Sequence, residues 1–395
     1  MRIALLAPLP PERNGIADYA DAWREAMRES GADVATPLRG QALSPRASML
    51  DKQMEAVDWS RADLVHAELG GGRGNEFLAL EWLARRYPGL PLTATVHDPE
   101  RLIWRPVGLP WPLPPGLPRA LCQAAVLLAD PLLLARERRL AGRLSRLITL
   151  TAAGAQCLQA RMRLPEGRVA VIPHGNRVVA ARPLPPPTPL RLLYFGFLYP
   201  GKGIEDLLQA LALLKSDRPS LAGELRLTLA GGTAPDLAFG NRGGYLRQLR
   251  ERAARLGVAE PLLDWRLNLS AAQIPELIQS HHALALPYRE SRKLAWLGRM
   301  RGTSGALSWA AACGRGAISS DARAFAEEVS HGNGAVFPQG DCAALARSLK
   351  ALLEQPDLAE RWGEQAARLG RERAWPRVAG RFLEVFRSLS GEGRP

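Results

Sequence analysis

LRLLYFGFLYPGKGIEDLLQALALLK, residues 190–215, holds three kinds of local structure in one run. Residues 190–198 are almost wholly apolar, as expected of a strand buried on both faces. Residues 199–203, Tyr-Pro-Gly-Lys-Gly, are turn chemistry carrying one charge. From 204 to 215, Ile204, Leu207, Leu208, Leu211 and Leu214 recur at helical spacing. Glu205 and Asp206 fall in the first turn, where a helix favours negative charge. A strand, a Gly-rich turn with Lys202 and a helix N-terminus together make an anion site. The plainer alternative is a βα turn with a solvated lysine.

The same rhythm extends in both directions. Residues 2–7 read as a strand, 8–15 as a loop and 16–29 as an amphipathic helix. The loop lacks GxGxxG, so a dinucleotide fingerprint is absent, and Asn14-Gly15 stands before the helix instead. A strand at 62–67 ends in Glu68 and the glycines Gly70, Gly71, Gly72 and Gly74. A strand at 91–96 ends in His97-Asp98-Pro99. Strands at 147–151 and 169–173 follow, and His174-Gly175-Asn176 comes next. Repeated strands ending in polar or Gly-rich loops before helices predict parallel α/β sheets, whose ligands lie beyond the carboxyl ends of the strands. Glu68, His97 and Asp98 would then share one rim.

The Pro-rich segment 182–189 reads as a linker. It predicts an N-terminal domain over 1–181 and a second domain over 190–375. In the second domain, strands are expected at 225–230, 282–286, 315–319 and 334–337. Helices are expected at 244–256, at 306–313 after Ser304-Gly305, and in three closing segments. Ser270 and Gln273 predict a capping box for a helix through 280.

Composition bounds the class. The 395 residues are 47% hydrophobic, with no apolar run long enough to span a bilayer. The N-terminus reads as a first strand rather than a signal peptide, so a cytoplasmic protein is expected. Cys122, Cys157, Cys313 and Cys342 are far apart and form no CxxC pair, the pattern of buried free thiols and not of a metal site. A net charge of +13 suits anionic partners. No nucleic-acid motif accompanies it. Trp104 and Trp111 precede a run of arginines reaching Arg146, which predicts contact with an anionic membrane surface at the inner face of the cytoplasmic membrane. The alternative is a solvated basic face.

Phe195-Gly196-Phe197-Leu198 with Gly201-Lys202-Gly203-Ile204-Glu205 resembles the GT-B glycosyltransferases, and among them the retaining family 4. Five further places agree. Asn14-Gly15-Ile16-Ala17 is similar to that family's glycine loop, and Thr95-Val96-His97-Asp98 to its strand-end histidine. Residues 171–176, Val-Ile-Pro-His-Gly-Asn, are similar to its "IPNGVD" segment. Residues 304–320 with 325–329 are similar to its donor-binding region. Ala374-Trp375-Pro376 resembles its Trp-containing segment before a last helix, 376–395, that completes the first domain.

The resemblance implies two Rossmann-like domains with parallel sheets facing a central cleft. It implies retaining, metal-independent hexosyl transfer by same-face attack, without a covalent nucleophile. The co-substrate is a GDP- or UDP-linked sugar, with mannose suggested and no other cofactor. The acceptor is a glycan or lipid-linked oligosaccharide in bacterial polysaccharide or glycoconjugate synthesis. It implies His97 and Lys202 at the reacting centre. It implies Gly15, Gly196, Lys202, Gly203, Ser304, Gly305, Ala306 and Ser308 against the donor, and Glu68, Gly71, Gly72 and Asp98 facing the acceptor.

Departures from the family are specific. Phe197 occupies the position of an arginine that pairs with the lysine. Arg301 and Trp309 occupy those of two glutamates. Glu290 is a stand-in for the first glutamate, and Arg292, Lys293, Arg299 or Arg301 for the arginine. Two alternatives therefore stay open: a degenerate GT-B protein that binds without catalysis, and a nucleotide-sugar epimerase, which would need its own acid/base carboxylates.

Overall fold

The computed structural model describes residues 1–12, 14–71, 73–103, 128, 130–232, 244–270, 272–290 and 302–389. Gly72, Trp104, Arg105, Trp111, Arg119, Cys122, Arg292, Lys293, Arg299 and Arg301 lie outside the described residues. The chain forms two compact units, Met1–Gly175 with Trp375–Pro395, and Asn176–Ala374.

The first unit holds β1 (Arg2–Leu6), β2 (Asp33–Ala35), β3 (Leu64–Leu69), β4 (Leu92–Val96), β5 (Arg146–Thr149) and β6 (Val169–Val171). All pair in parallel, in the order β2-β1-β3-β4-β5-β6. The second holds β7 (Leu190–Phe195), β8 (Leu225–Gly231), β9 (Leu263–Leu267), β10 (Ala283–Leu286), β11 (Gly316–Ser320) and β12 (Gly334–Phe337). They too are parallel, in the order β12-β11-β10-β7-β8-β9. The expected α/β class, two Rossmann-like domains with parallel sheets, is the fold observed. In each sheet the winding reverses once, between β1 and β3 and between β7 and β10. These switch points leave a crevice beyond the carboxyl ends of the strands.

Burial explains the strands. β3 and β4 are buried along their whole length, as strands covered on both faces must be. In the second unit the helix Ile204–Asp217 buries Ile204, Leu207, Leu208, Leu211 and Leu214, the stripe that the spacing predicts. In the first unit the last helix, Trp375–Arg387, buries Val378, Phe382, Leu383 and Phe386 with Tyr19, Trp23 and Met27 of the helix Gly15–Glu29.

Several local readings change. β7 stops at Phe195 rather than 198, because Gly196 takes φ of +145°, which breaks the strand. β3 runs over Leu64–Leu69, so Glu68 lies inside the strand and is fully buried. The helix after Ser270 begins at Gln273, whose Oε1 accepts from both Ser270 N and Oγ, so the capping box is one-sided. β2 and β9 were not expected; each edges its sheet, is short or only part-buried, and carries no continuous apolar run. The Pro-rich segment is docked on its own unit. Arg315 donates to the carbonyls of Arg182 and Pro183, and Gln279 donates to that of Ala180. Cys313 is buried, whereas Cys157 and Cys342 are half-buried. No helix among the described residues is long and apolar enough to cross a membrane.

Candidate functional site

Each unit gathers polar groups at its own switch point. In the second unit the turn after β7 carries Lys202, and the segment after β10 carries Tyr288, Arg289 and Glu290. The Lys202 ammonium stands 3.7 Å from the Tyr288 ring centroid and 5.0 Å from that of Tyr199. Both contacts attract a cation. No carboxylate among the described residues pairs with it. Burial pushes its pKa down to about 8; Tyr199 works the other way, and nearby Arg323 adds to the depression. A cation held in a low-dielectric site without a counter-charge is poised for an anion.

The turn holding Lys202 is fixed by backbone crowding. Gly203 sits at φ +68°, and a Cβ there would lie 1.6 Å from Pro287 O. Arg289 N donates to Gly201 O at 3.0 Å. The Arg289 guanidinium grips both carboxylate oxygens of Asp206 in the following helix. So the loops after β7 and β10 are locked together on either side of the switch point.

The helix Gly305–Ala312 opens beside them. Its N-cap Ser304 accepts from Ala306 N at 3.3 Å and shares a 3.2 Å hydrogen bond with the Tyr288 hydroxyl. Tyr288 therefore links the Lys202 pocket to a helix N-terminus, whose free N–H groups favour negative charge. Gly305 borders open space: a Cβ there would meet nothing within 4 Å. The hydroxyl of Ser308 donates to Asn176 Oδ1. Glu290 Oε1 accepts from Arg323 N at 2.7 Å, so Glu290 shapes the turn after β11. Phe197 is 37% exposed, and its carbonyl accepts from the Tyr194 hydroxyl at 3.1 Å. Trp309 lies under the Arg177 guanidinium, 6.0 Å from the ring centroid.

Arg323 is the residue sequence reasoning passed over. It takes φ +58° in the turn between β11 and the helix Phe325–Val329, within electrostatic range of Lys202 and Tyr288. No motif marks it; only the adjacency of β10 and β11 brings it near Lys202.

In the first unit, Asn14 caps the helix Gly15–Glu29 through Ala17 N at 2.8 Å. A Cβ on Gly15 would meet nothing within 4 Å, so this glycine borders open space beyond β1. Asp98 Oδ2 accepts from Gly71 N at 2.7 Å, and Gly71 takes φ +54°. Asp98 thus ties the glycine loop to the end of β4. Gly70 packs tightly here: its Cβ would lie 3.0 Å from His97 Cβ. His97 Nε2 lies 2.7 Å from Glu68 Oε2. The expectation that Glu68 faces an acceptor is corrected. Its place inside β3 turns the carboxylate into the sheet, against His97 and His66.

Comparison with known proteins identifies the family to which this fold belongs. The family model for glycosyl transferases group 1 matches residues 180–369, and that for glycosyltransferase family 4 matches residues 10–176. The chain belongs to the family 4-like GT-B glycosyltransferases. A D-inositol 3-phosphate glycosyltransferase of Streptomyces coelicolor is 29% identical over 227 residues, 56% of this chain and 46% of that protein. The match therefore spans about half the length of that relative. One of the same name from Thermobispora bispora is 26% identical over 344 residues, 82% of this chain and 70% of that protein. Among solved structures, HepE of Anabaena in complex with UDP superposes with a TM-score of 0.68 at 18% identity, covering 98% of this chain and 100% of that one. Sucrose-phosphate synthase from Thermosynechococcus elongatus gives a TM-score of 0.70 at 17% identity, with both chains fully covered. These two likenesses are of fold.

Proposed function

We propose that this glycosyltransferase moves a hexosyl group from a nucleotide-diphosphate sugar to an acceptor hydroxyl, with retention and without a metal ion. The observation that carries the reading is Lys202: a pocketed ammonium, stacked on two tyrosines, without a carboxylate partner among the described residues, beside the N-terminus of the Gly305–Ala312 helix. The acceptor oxygen bonds to the anomeric carbon as the bond to the diphosphate breaks, and the hydroxyl proton passes to the departing diphosphate. Charge grows on that diphosphate. A fixed ammonium and oriented N–H groups stabilise it without reorganising, typically by about 3 kcal/mol each. Gly196 and Gly203 keep the turn close to the phosphates, and Ser304, Gly305, Ala306 and Ser308 present the helix end. Glu290 acts through the turn carrying Arg323. His97 acts at the transferred sugar, while Gly71 and Asp98 face the acceptor.

A UDP-linked hexose is the first donor to test, since HepE structures hold UDP and UDP-glucose. GDP-mannose is the second. The acceptor is a polyhydroxylated or phosphorylated glycan of a bacterial polysaccharide or lipid-linked oligosaccharide. A panel of nucleotide sugars tests the reading by thermal shift and by transfer to candidate acceptors. A true donor at a hundred times its Kd stabilises the fold by about 2.7 kcal/mol. Absence of both a shift and transfer across the panel removes the catalytic reading. A thermal shift without any transfer favours the binding-only alternative, and conversion of donor in the absence of acceptor favours the epimerase.

A second reading concerns where the reaction occurs. The helix Asp130–Arg143 exposes Leu132, Ala135, Arg139 and Arg143 along one stripe, with Leu128 83% exposed just before it. Arg85, Arg136, Arg139 and Arg143 line an adjoining cleft of about 280 Å³, in which Glu81 is the one acidic group among the described residues. Apolar and cationic groups on one face suit an anionic bilayer surface. Flotation with anionic liposomes should recover the protein at low salt. Arg139→Glu with Arg143→Glu should abolish that recovery, and equal recovery with zwitterionic liposomes removes the proposal.

A further inference from the structure

The hydrogen bonds around Glu68 determine which nitrogen of His97 is presented. Glu68 is fully buried in β3, with Oε2 2.7 Å from His97 Nε2 and Oε1 3.3 Å from His66 Nε2. Burial works to raise the Glu68 pKa, but the neighbouring histidines, with the His97 hydrogen bond foremost in the geometry, outweigh it and hold the carboxyl below its ordinary range. An ionised carboxylate only accepts hydrogen bonds. His97 Nε2 is therefore the protonated nitrogen. Its Nδ1 has no partner among the described residues and is not sealed from solvent.

The second histidine follows from the same accounting. Thr93 Oγ1 spends its single proton on Val65 O at 3.2 Å, so at 2.8 Å it accepts from His66 Nδ1. That leaves His66 Nε2, 3.0 Å from Thr95 Oγ1, as an acceptor when the ring is neutral. Glu68 Oε1, nearby, makes no hydrogen bond. Trp23 stacks on the far face of His66 at 5.0 Å and fixes the ring. The groups around His97 leave its Nδ1 alone. Tyr19 meets the ring edge-on at 4.8 Å and also contacts His174 at 5.0 Å, and Asp98 is engaged by Gly71 N.

We propose that Glu68 is a positioning residue: it locks His97 in the Nε2–H form, so that the imidazole meets a substrate hydroxyl with its Nδ1 lone pair and accepts the hydrogen bond rather than donating it. The substrate half of this statement rests on the transferase reading above; the tautomer does not. The arrangement follows the logic by which a buried acid orients a catalytic imidazole. It also specifies what replaces Glu68 without harm. A glutamine can still accept from His97 Nε2 with its oxygen. A leucine cannot.

The test is imidazole ¹⁵N–¹H correlation spectroscopy of the full chain, with His97 assigned by its absence in His97→Gln. The expected wild-type spectrum shows His97 protonated at Nε2 and bare at Nδ1. Glu68→Gln should keep that pattern and, with it, most of the transfer rate. Glu68→Leu should lose it and lower kcat by about tenfold or more, with KM for the donor little changed. A proton on Nδ1 in the wild type overturns the proposal, as does a folded Glu68→Leu that retains the wild-type tautomer. If Glu68→Leu does not fold, the wild-type and Glu68→Gln spectra decide. If the wild type transfers from no donor, the transferase reading fails while the spectra still judge the tautomer.

Discussion

Replacing Lys202 with methionine should lower the rate of sugar transfer by about 10²-fold or more, the usual cost of one fixed group that stabilises developing negative charge. Methionine keeps the apolar stem against Tyr199 and Tyr288 and removes only the ammonium. Binding of UDP alone should weaken as well, because the diphosphate is already charged before reaction. Arg323 and the helix N-terminus remain, so binding is reduced and not abolished. The pH dependence follows from the depressed pKa. Between about 8 and the ordinary value of 10.5, the native state of the free protein holds fewer protons at Lys202 than the unfolded chain does. Stability from this group therefore rises with pH across that window, and its burial penalty is fully present below about pH 8. Lys202→Met should flatten the wild-type slope and leave the variant no less stable at neutral pH. A bound diphosphate favours the charged amine, so UDP binding should take up a proton above about pH 8 and weaken as pH rises. Calorimetry in buffers of different ionisation heat measures that uptake. Equal UDP affinity in wild type and Lys202→Met across this range would remove Lys202 from the donor site.

Gly203→Ala should destabilise the second unit by about 3 kcal/mol or more, a large effect for one methyl group. Two costs combine. The residue lies at φ +68°, where a Cβ costs about 1 kcal/mol. That Cβ would also meet Pro287 O at 1.6 Å, and the obstacle is backbone of the neighbouring loop rather than a movable side chain. Relief requires the turns after β7 and β10 to part, which displaces Lys202 from the Tyr288 ring. Donor binding should fall with stability. Gly15→Ala is the control. Its Cβ meets nothing within 4 Å, so stability should change by less than about 0.5 kcal/mol. Urea denaturation of both variants separates the cases; equal stability of Gly203→Ala and wild type would contradict the clash.

The two sites were unequally legible from sequence. In the second unit the anion turn could be read locally, because a strand, a Gly-Lys-Gly turn and a helix are consecutive in the chain. Lys202 needs no distant partner to be recognised. Its surroundings were not legible. Tyr288 lies 86 positions further along the chain and Arg323 121, and they meet Lys202 only because β10 and β11 line up beside β7. In the first unit His97 was readable at its strand end, while Glu68 was misplaced. The sequence Leu-Gly-Gly after Glu68 suggests that the strand is over, yet pairing Glu68 with Thr95 and Leu69 with Val96 carries β3 two residues further. A difference of two residues moved a carboxylate from a solvent-facing rim into the sheet.

Hydrophobic patterning and glycine placement by themselves determined the α/β class, most strand positions and the turn that holds Lys202. These are local properties, set by side-chain period and by which residues tolerate a given backbone angle. The tertiary structure alone decided what surrounds each charge. It placed Lys202 on two tyrosines without a carboxylate among the described residues, and it gave Glu68 two histidines instead of solvent. Partners of that kind come from strands far apart in the chain, so burial and pairing, which set the chemistry of an ionisable group, emerge only when the sheets assemble.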